Sequence, residues 1–186
     1  MRRINDFYPT PGRATEILLE LCPELLWSPV VFEPCNGKGA ISDVVRRYRH
    51  VVTADIDPDM APDYVGDARS ISLYDAAPLI DKPKKYSVIT NPPFNQAIEI
   101  VSNFVERQLL CAFLLRLSFL EPTDKRGRWL ENWAPNRIIV LPRISFTGDG
   151  KTDSVTCAWF IWGIEPGELT IVSKERFNQP SQQIRC

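Results

Sequence analysis

Val30-Val31-Phe32-Glu33-Pro34-Cys35-Asn36-Gly37-Lys38-Gly39 is the stretch on which the fold turns. Its first three residues are an apolar run of strand-forming side chains. The rest is a tight loop that opens onto a helical pattern from Ala40 to Tyr48. Strand, glycine loop and helix in that order make the first unit of a nucleotide-type α/β sheet, in which glycines let backbone approach a ligand closely. The loop stops short of a dinucleotide fingerprint, because the third glycine position is Ser42 and the motif reads Gly-x-Gly-x-x-Ser. Nor is it an NTPase loop, since Gly37-Lys38 is followed by Gly39 and not by serine or threonine. A ligand without a pyrophosphate is the expectation. Cys35 reads as a small filler of the loop, with Lys38 as its one evident basic neighbour.

Downstream, Val51-Val52-Thr53-Ala54 reads as the second strand and ends in Asp55-Ile56-Asp57-Pro58. An acid at that point is where such folds hold ribose, because a carboxylate accepts from both vicinal hydroxyls. Asp55 is the first choice and Asp57 its competitor. Tyr64-Val65-Gly66-Asp67-Ala68 ends in another acid, and Asp67 could accept from an adenine amino group. Each acid alone is an ordinary solvated loop residue. Their recurrence after successive strands points to a ligand edge.

The apolar run Val88-Ile89-Thr90 leads into Asn91-Pro92-Pro93-Phe94. The Asn91 side-chain carbonyl and the Pro92 backbone carbonyl are two acceptors, and Phe94 offers a face on which a ring can stack. Two acceptors on one exocyclic amine draw its nitrogen out of conjugation and toward a nucleophilic, tetrahedral geometry. Pro93 stiffens the turn. The competing reading is a strand-terminating turn, since Asn-Pro commonly opens one.

The coarse pattern is alternation. Thr10 as cap and Pro11 at the first helical position begin a helix to about Leu26. Strands follow near residues 30–33, 51–55, 63–66, 86–90, 110–116, 137–141 and 155–163, with helices near 40–49, 72–79, 95–108 and 122–132. This predicts an α/β fold with a mostly parallel seven-stranded sheet covered on both faces. The loop Ser145 to Asp153 is too short for a covered crossover, so the last two strands should pair antiparallel. One domain over residues 1–178 is expected, with a local insertion at 121–136 and a frayed tail at 179–186.

Composition narrows the function. The 186 residues, 44% of them hydrophobic, suffice for one domain with a substantial core and not for two. No apolar run is long enough to span a bilayer, and Met1-Arg2-Arg3-Ile4-Asn5-Asp6 lacks the apolar stretch of a secretory signal. Five cysteines show no paired metal-ligand spacing, and their odd number argues against a closed disulfide framework. With His50 as the lone histidine, a His-centred triad is excluded as a working reading. The net charge of −1 rules out a surface that neutralises phosphate throughout, so nucleic acid would have to meet local basic patches. Lys125-Arg126-Gly127-Arg128-Trp129, with Trp133 and Arg137 beyond it, is one such patch. Its alternative is a surface helix whose Trp129 and Trp133 pack on the sheet. Arg143 and Lys151 around Phe146 form a second patch.

In their order and spacing these segments resemble the S-adenosylmethionine-dependent amino-methyltransferases, in particular the N6-adenine DNA methyltransferases of phages and prophages. The resemblance runs through Phe7-Tyr8-Pro9-Thr10-Pro11, Phe32 to Gly39, Asp55, Gly66-Asp67-Ala68, Asn91-Pro92-Pro93-Phe94 and Arg143-Ile144-Ser145-Phe146-Thr147-Gly148, reaching Trp159-Phe160-Ile161-Trp162. It implies a Rossmann-like class I methyltransferase that moves a methyl group from S-adenosyl-L-methionine to a flipped adenine in DNA, in the cytoplasm of a bacterial or phage-infected cell. On that resemblance Tyr8, Thr10, Glu33, Pro34, Asn36, Gly37, Gly39, Asp55, Ile56, Asp67 and Ala68 hold the cofactor. Asn91, Pro92, Pro93 and Phe94 hold the reacting base, while Phe146, Arg143, Lys125, Arg126, Arg128 and Trp129 meet the substrate. The sequence departs from the family in having no separate target-recognition domain. RNA or a protein glutamine as substrate, a nicotinamide-dependent Rossmann enzyme and a non-catalytic binding module remain the rival readings. No membrane partner is expected, and the oligomeric state is left open.

Overall fold

The computed structural model describes residues 10–76, 86–143, 155–182 and 184. Among these described residues eight strands form one sheet: β1 (Val30–Glu33), β2 (His50–Asp55), β3 (Tyr64–Val65), β4 (Ser87–Thr90), β5 (Leu110–Arg116), β6 (Arg137–Val140), β7 (Cys157–Trp162) and β8 (Thr170–Ile171). Six α-helices among the same residues accompany them: α1 (Gly12–Leu21), α2 (Ser42–Val45), α3 (Leu73–Ala76), α4 (Ala97–Val105), α5 (Asp124–Asn132) and α6 (Lys174–Asn178). Across the sheet the strands run β3-β2-β1-β4-β5-β7-β6-β8. The first five are parallel, and β7 is antiparallel to both β5 and β6. The antiparallel pairing of β6 and β7 is as the short connection required. The short β8, which pairs parallel to β6, is an addition to the seven strands expected.

Strand periodicity of two sorts the side chains into two cores. Val31, Val51, Ile89, Ala112, Leu114, Trp159 and Ile161 face one way and meet Ile17 and Leu18 of α1 and Val44 and Val45 of α2. Phe32, Val52, Val88, Phe113, Leu115, Phe160 and Trp162 face the other way and meet Leu73 of α3 and Ile100, Val101 and Phe104 of α4. Because every central strand is covered on both sides, its sequence is a continuous apolar run and not an alternating one.

The first helix is shorter than expected. It ends at Leu21, and Pro23–Leu26 form a single 3₁₀ turn. Pro23 has no N–H to donate and keeps Cys22 out of the helical region, at φ −135° and ψ 64°. Thr10 does not cap this helix; Pro11 takes that place without a side-chain hydrogen bond. Helix α2 is likewise reduced to Ser42–Val45, with turns carrying the chain on to β2. Among the described residues no helix is long and apolar enough to cross a membrane.

The topology places the site. After β1 the chain steps outward to β2 and β3, then crosses back so that β4 lies on the other flank of β1. The strand order reverses there, and in sheets of this kind ligands bind in a crevice outside the carboxyl ends of the strands at that point. The loop after β1 starts at Pro34, and the loop after β4 is Asn91-Pro92-Pro93-Phe94. The two motifs that sequence singled out therefore lie at one edge of the sheet, on either side of the reversal.

Candidate active site

The loop after β1 is built around two left-handed glycines, Gly37 at φ 51° and Gly39 at φ 81°. A side chain at Gly39 would also stand 3.3 Å from Ser42 Oγ. Ser42, which breaks the three-glycine pattern, is fully buried and ties the loop together. Its hydroxyl donates to Asn36 Oδ1 at 2.9 Å and lies 3.1 Å from the Gly39 carbonyl. The Asn36 N–H donates across to the Ala54 carbonyl of β2 at 2.9 Å. Asn36, Gly37 and Gly39 thus shape the loop through backbone and mutual bonds, and Pro34 fixes its entry.

Glu33, the last residue of β1, is 2% exposed. Its Oε2 is buried with no hydrogen-bond partner among the described residues. Burial pushes its pKa well above the ordinary value, and Asp55 reinforces the shift, while nearby Ser42 and Arg46 oppose it. A buried acid with an orphaned oxygen suits an incoming ammonium group, which would supply both the missing donor and the missing charge. Cys35, two residues along, is also pushed up by burial, with Asp55, Glu33 and Asp67 adding to the shift and nearby Thr90 opposing it. Its thiol therefore stays protonated and fills space, as the sequence suggested.

The Asp55 carboxylate, at the end of β2, accepts from Gly37 N–H at 2.8 Å through Oδ2 and from Asp57 N–H at 3.0 Å through Oδ1. Each oxygen keeps a further lone pair. Asp57 is occupied differently: its side chain accepts from Asp59 N–H and caps the turn Pro58–Met60. Between them Ile56 presents an apolar surface that is 61% exposed. Asp67 departs from the expectation of an open adenine acceptor. Arg69 holds both of its oxygens, with Nη2 at 2.5 Å, Nε at 3.0 Å and the backbone N–H at 2.9 Å. These bonds lower the Asp67 pKa. Ala68 is buried behind it, and the Asn103 side chain of α4 donates to the Ala68 and Ile71 carbonyls at 3.1 and 2.9 Å.

At the other lip, Asn91 Nδ2 donates to Thr10 Oγ1 at 3.1 Å. This contact fixes the amide through its nitrogen. Thr10 is 5% exposed and acts here through Asn91, not as the helix cap that sequence assigned to it. The Phe94 ring is half-buried, and the Arg116 guanidinium lies over it at 4.5 Å from the centroid. Arg116, the last residue of β5, escaped the sequence reading. Its signal is a lone arginine closing an otherwise apolar strand, Leu110-Cys111-Ala112-Phe113-Leu114-Leu115.

The basic patches are changed most. Trp129 packs edge-on against Phe119 and Trp162, and its indole N–H donates to Glu106 at 2.8 Å. It is half-buried and packs against the core of the α4 face. Arg126 is bound to the Glu121 and Ser118 carbonyls and lies over Phe119, so it closes the turn before α5. Lys125 pairs loosely with Glu99 at 3.6 Å. Arg128 is exposed on α5, and Arg143 is exposed just beyond β6. Because β6 is parallel to β5 through β7, Arg143 stands at the same edge as Asn91. Tyr8, Phe146 and Lys151 lie outside the described residues.

No protein-family model matches the sequence, and no curated protein sequence matches it. Solved structures do match. A candidate RNA methyltransferase from Pyrococcus horikoshii superposes with a TM-score of 0.59 at 15% identity, covering 85% of this chain and 86% of that one. The M protein of the type I restriction enzyme EcoKI gives 0.61 at 16% identity over 83% of this chain, which spans 44% of that protein. A dimethyladenosine transferase from Plasmodium falciparum gives 0.51 at 18% identity over 83% of this chain and 63% of that one. With the strand order, the reversed β7 and helices on both faces, these likenesses establish a Rossmann-like class I methyltransferase fold.

Proposed function

We propose that the chain transfers a methyl group from S-adenosyl-L-methionine to the exocyclic N6 amine of adenine in DNA, with the base swung out of the stack into the crevice. The observation that supports this reading most is the place of Asn91, directly after β4 at the strand-order reversal, with its amide nitrogen held by Thr10. The crevice fits the cofactor. Glu33 offers its orphaned carboxyl to the methionine ammonium, Asp55 its remaining lone pairs to the ribose hydroxyls, and Ile56 its exposed face to the adenine. Asp55 is favoured over Asp57 because it already bonds the glycine loop. The cofactor supplies an electrophilic sulfonium methyl, so the protein's task is alignment and exclusion of water. Asn91 Oδ1 and the Pro92 carbonyl accept the two amine hydrogens, Pro93 holds the turn, and the base stacks at Phe94. No general base is needed, because the nitrogen becomes acidic once methylated and loses its proton afterwards.

The near end-to-end match to the candidate RNA methyltransferase favours RNA as the second reading. Incubating the protein with labelled cofactor and DNA or RNA, followed by nucleoside mass spectrometry, tests both. N6-methyladenine in DNA is expected; label confined to RNA, to another base or to protein would replace this reading.

A further inference from the structure

Arg116 closes β5 beside the strand that Asn91 follows, as the register Thr90↔Phe113 shows. Its Nε is buried without a hydrogen-bond partner, and its guanidinium rests on the Phe94 ring. Among the described residues no carboxylate pairs with it, whereas Arg13, Arg46, Arg47, Arg69 and Arg137 all have one. A half-buried cation without an anion carries a desolvation cost that a cation–π contact offsets in part. The missing anion has a direction. Glu33 and Asp55, the groups suited to the cofactor, lie on β1 and β2, and Arg116 lies on β5, across β4 from them. The anion must therefore come in with the molecule that stacks at Phe94.

We propose that Arg116 binds the phosphate of the target nucleotide, which makes it a substrate-positioning residue and makes the substrate a nucleotide in a chain, not a protein amide. The proposal rests on the methyltransferase reading above and extends it to substrate class. A base stacked at Phe94 carries its phosphate one sugar away, within the sweep of a side chain that already touches the ring. The planar fork of arginine matches two phosphate oxygens, while a glutamine side chain brings no such group. The guanidinium meanwhile covers the Phe94 face as a flat substitute for the base.

The test compares wild type, Arg116→Gln and Arg116→Lys on an oligonucleotide with one adenine, in whichever polymer the wild type methylates. A second oligonucleotide carries a neutral methylphosphonate beside that adenine. Arg116→Gln should raise KM about tenfold or more, as loss of a charge-assisted bond does. Its salt dependence of binding should flatten by about 0.7–0.9 in log–log slope, the value for one phosphate. Arg116→Lys should keep that slope, and cofactor affinity by calorimetry should stay at the wild-type value in both variants. The methylphosphonate should impose the same loss on wild type and none on Arg116→Gln. Equal KM and slope in an active Arg116→Gln protein overturn the phosphate contact alone. Lost cofactor affinity in folded Arg116→Lys would move Arg116 to the cofactor and also overturn it. A wild type that methylates no nucleic acid overturns both the contact and the reading beneath it.

Discussion

Thr10 and Glu33 show how much of the chemistry hangs on single side chains that hold others. The Asn91 amide is fixed because Thr10, 81 residues away in the chain, accepts from its nitrogen. Sequence could name Asn91, because strand, Asn and two prolines are contiguous. It read Thr10 as a helix cap, because a contact at that separation leaves no local mark. Asn91→Ala should lose about a hundredfold or more in methyl transfer, on the order of 3 kcal/mol, with cofactor affinity near wild type. Thr10→Val should lose about 1 kcal/mol, roughly fivefold in kcat, because Asn91 stays but is no longer aimed. Single-turnover rates on the two variants check the order. Glu33 supplies a pH dependence. Burial keeps its carboxyl protonated, so pairing with the cofactor ammonium must release a proton, and affinity should rise with pH through the raised value. In the unliganded protein the sign is opposite. The unfolded chain ionises Glu33 near 4.5 while the native state keeps the proton, so this group's contribution to stability falls as pH climbs from there to the raised native pKa. Glu33→Gln should abolish both slopes, weakening cofactor binding while flattening the stability profile. Calorimetry and thermal melts across pH read the two separately.

Among the elements, legibility followed burial. Strands β1, β2, β4 and β5 are apolar runs bounded by loop residues, and each was expected within a residue or two of where it lies. β8 is two residues long, with Ile171 exposed, and α6 is a five-residue helix capped by Ser173, so neither has a period to detect. Pro23 is the local signal for the end of α1, and the apolar residues Leu25 and Leu26 beyond it carry the pattern past that end. The α5 segment, expected as a local insertion, packs Trp129, Leu130 and Trp133 against the α4-side core, and the Trp162 indole donates to the Trp133 carbonyl at 2.9 Å. Cations and tryptophans in one short stretch look like a nucleic-acid patch until packing separates them; the four-residue spacing of Trp129 and Trp133 was the signal that favoured packing. Trp129→Ala should accordingly cost about 2–3 kcal/mol of stability, below the range for a fully buried tryptophan because the ring is half-buried. Nucleic-acid affinity of the folded fraction should not change. A variant with wild-type stability and weakened binding would return Trp129 to the substrate surface.

For the whole molecule, the topology puts Glu33 and Asp55 on β1 and β2 and Asn91, Arg116 and Arg143 at the ends of β4, β5 and β6, so on the proposed function the two ligands would meet at the boundary between β1 and β4. That division was legible in part. The acids and the Asn-Pro-Pro-Phe segment stand in chain order, but the side of the sheet on which β5 and β6 fall follows from the antiparallel insertion of β7 between them. The net charge of −1 leaves no general attraction for phosphate. With Arg126 bound to carbonyls and Lys125 paired to Glu99, the described cations without a carboxylate partner in the loop after β1, between β5 and β6 and just beyond β6 are Lys38, Arg116, Arg128 and Arg143. Four phosphate contacts give a log–log salt slope of about −3 to −4, which is shallow for a sequence-specific DNA-binding protein. Few base edges can be read by so small a surface, and bases that leave the stack cheaply should be chosen first. The expected outcome is methylation in a context of a few bases, faster on single-stranded or mismatched DNA than on intact duplex. Sequencing methylated positions after reaction on genomic DNA, alongside binding at several salt concentrations, checks this. A long, strictly defined site with a slope near −6 would mean that recognition is built from residues other than these four.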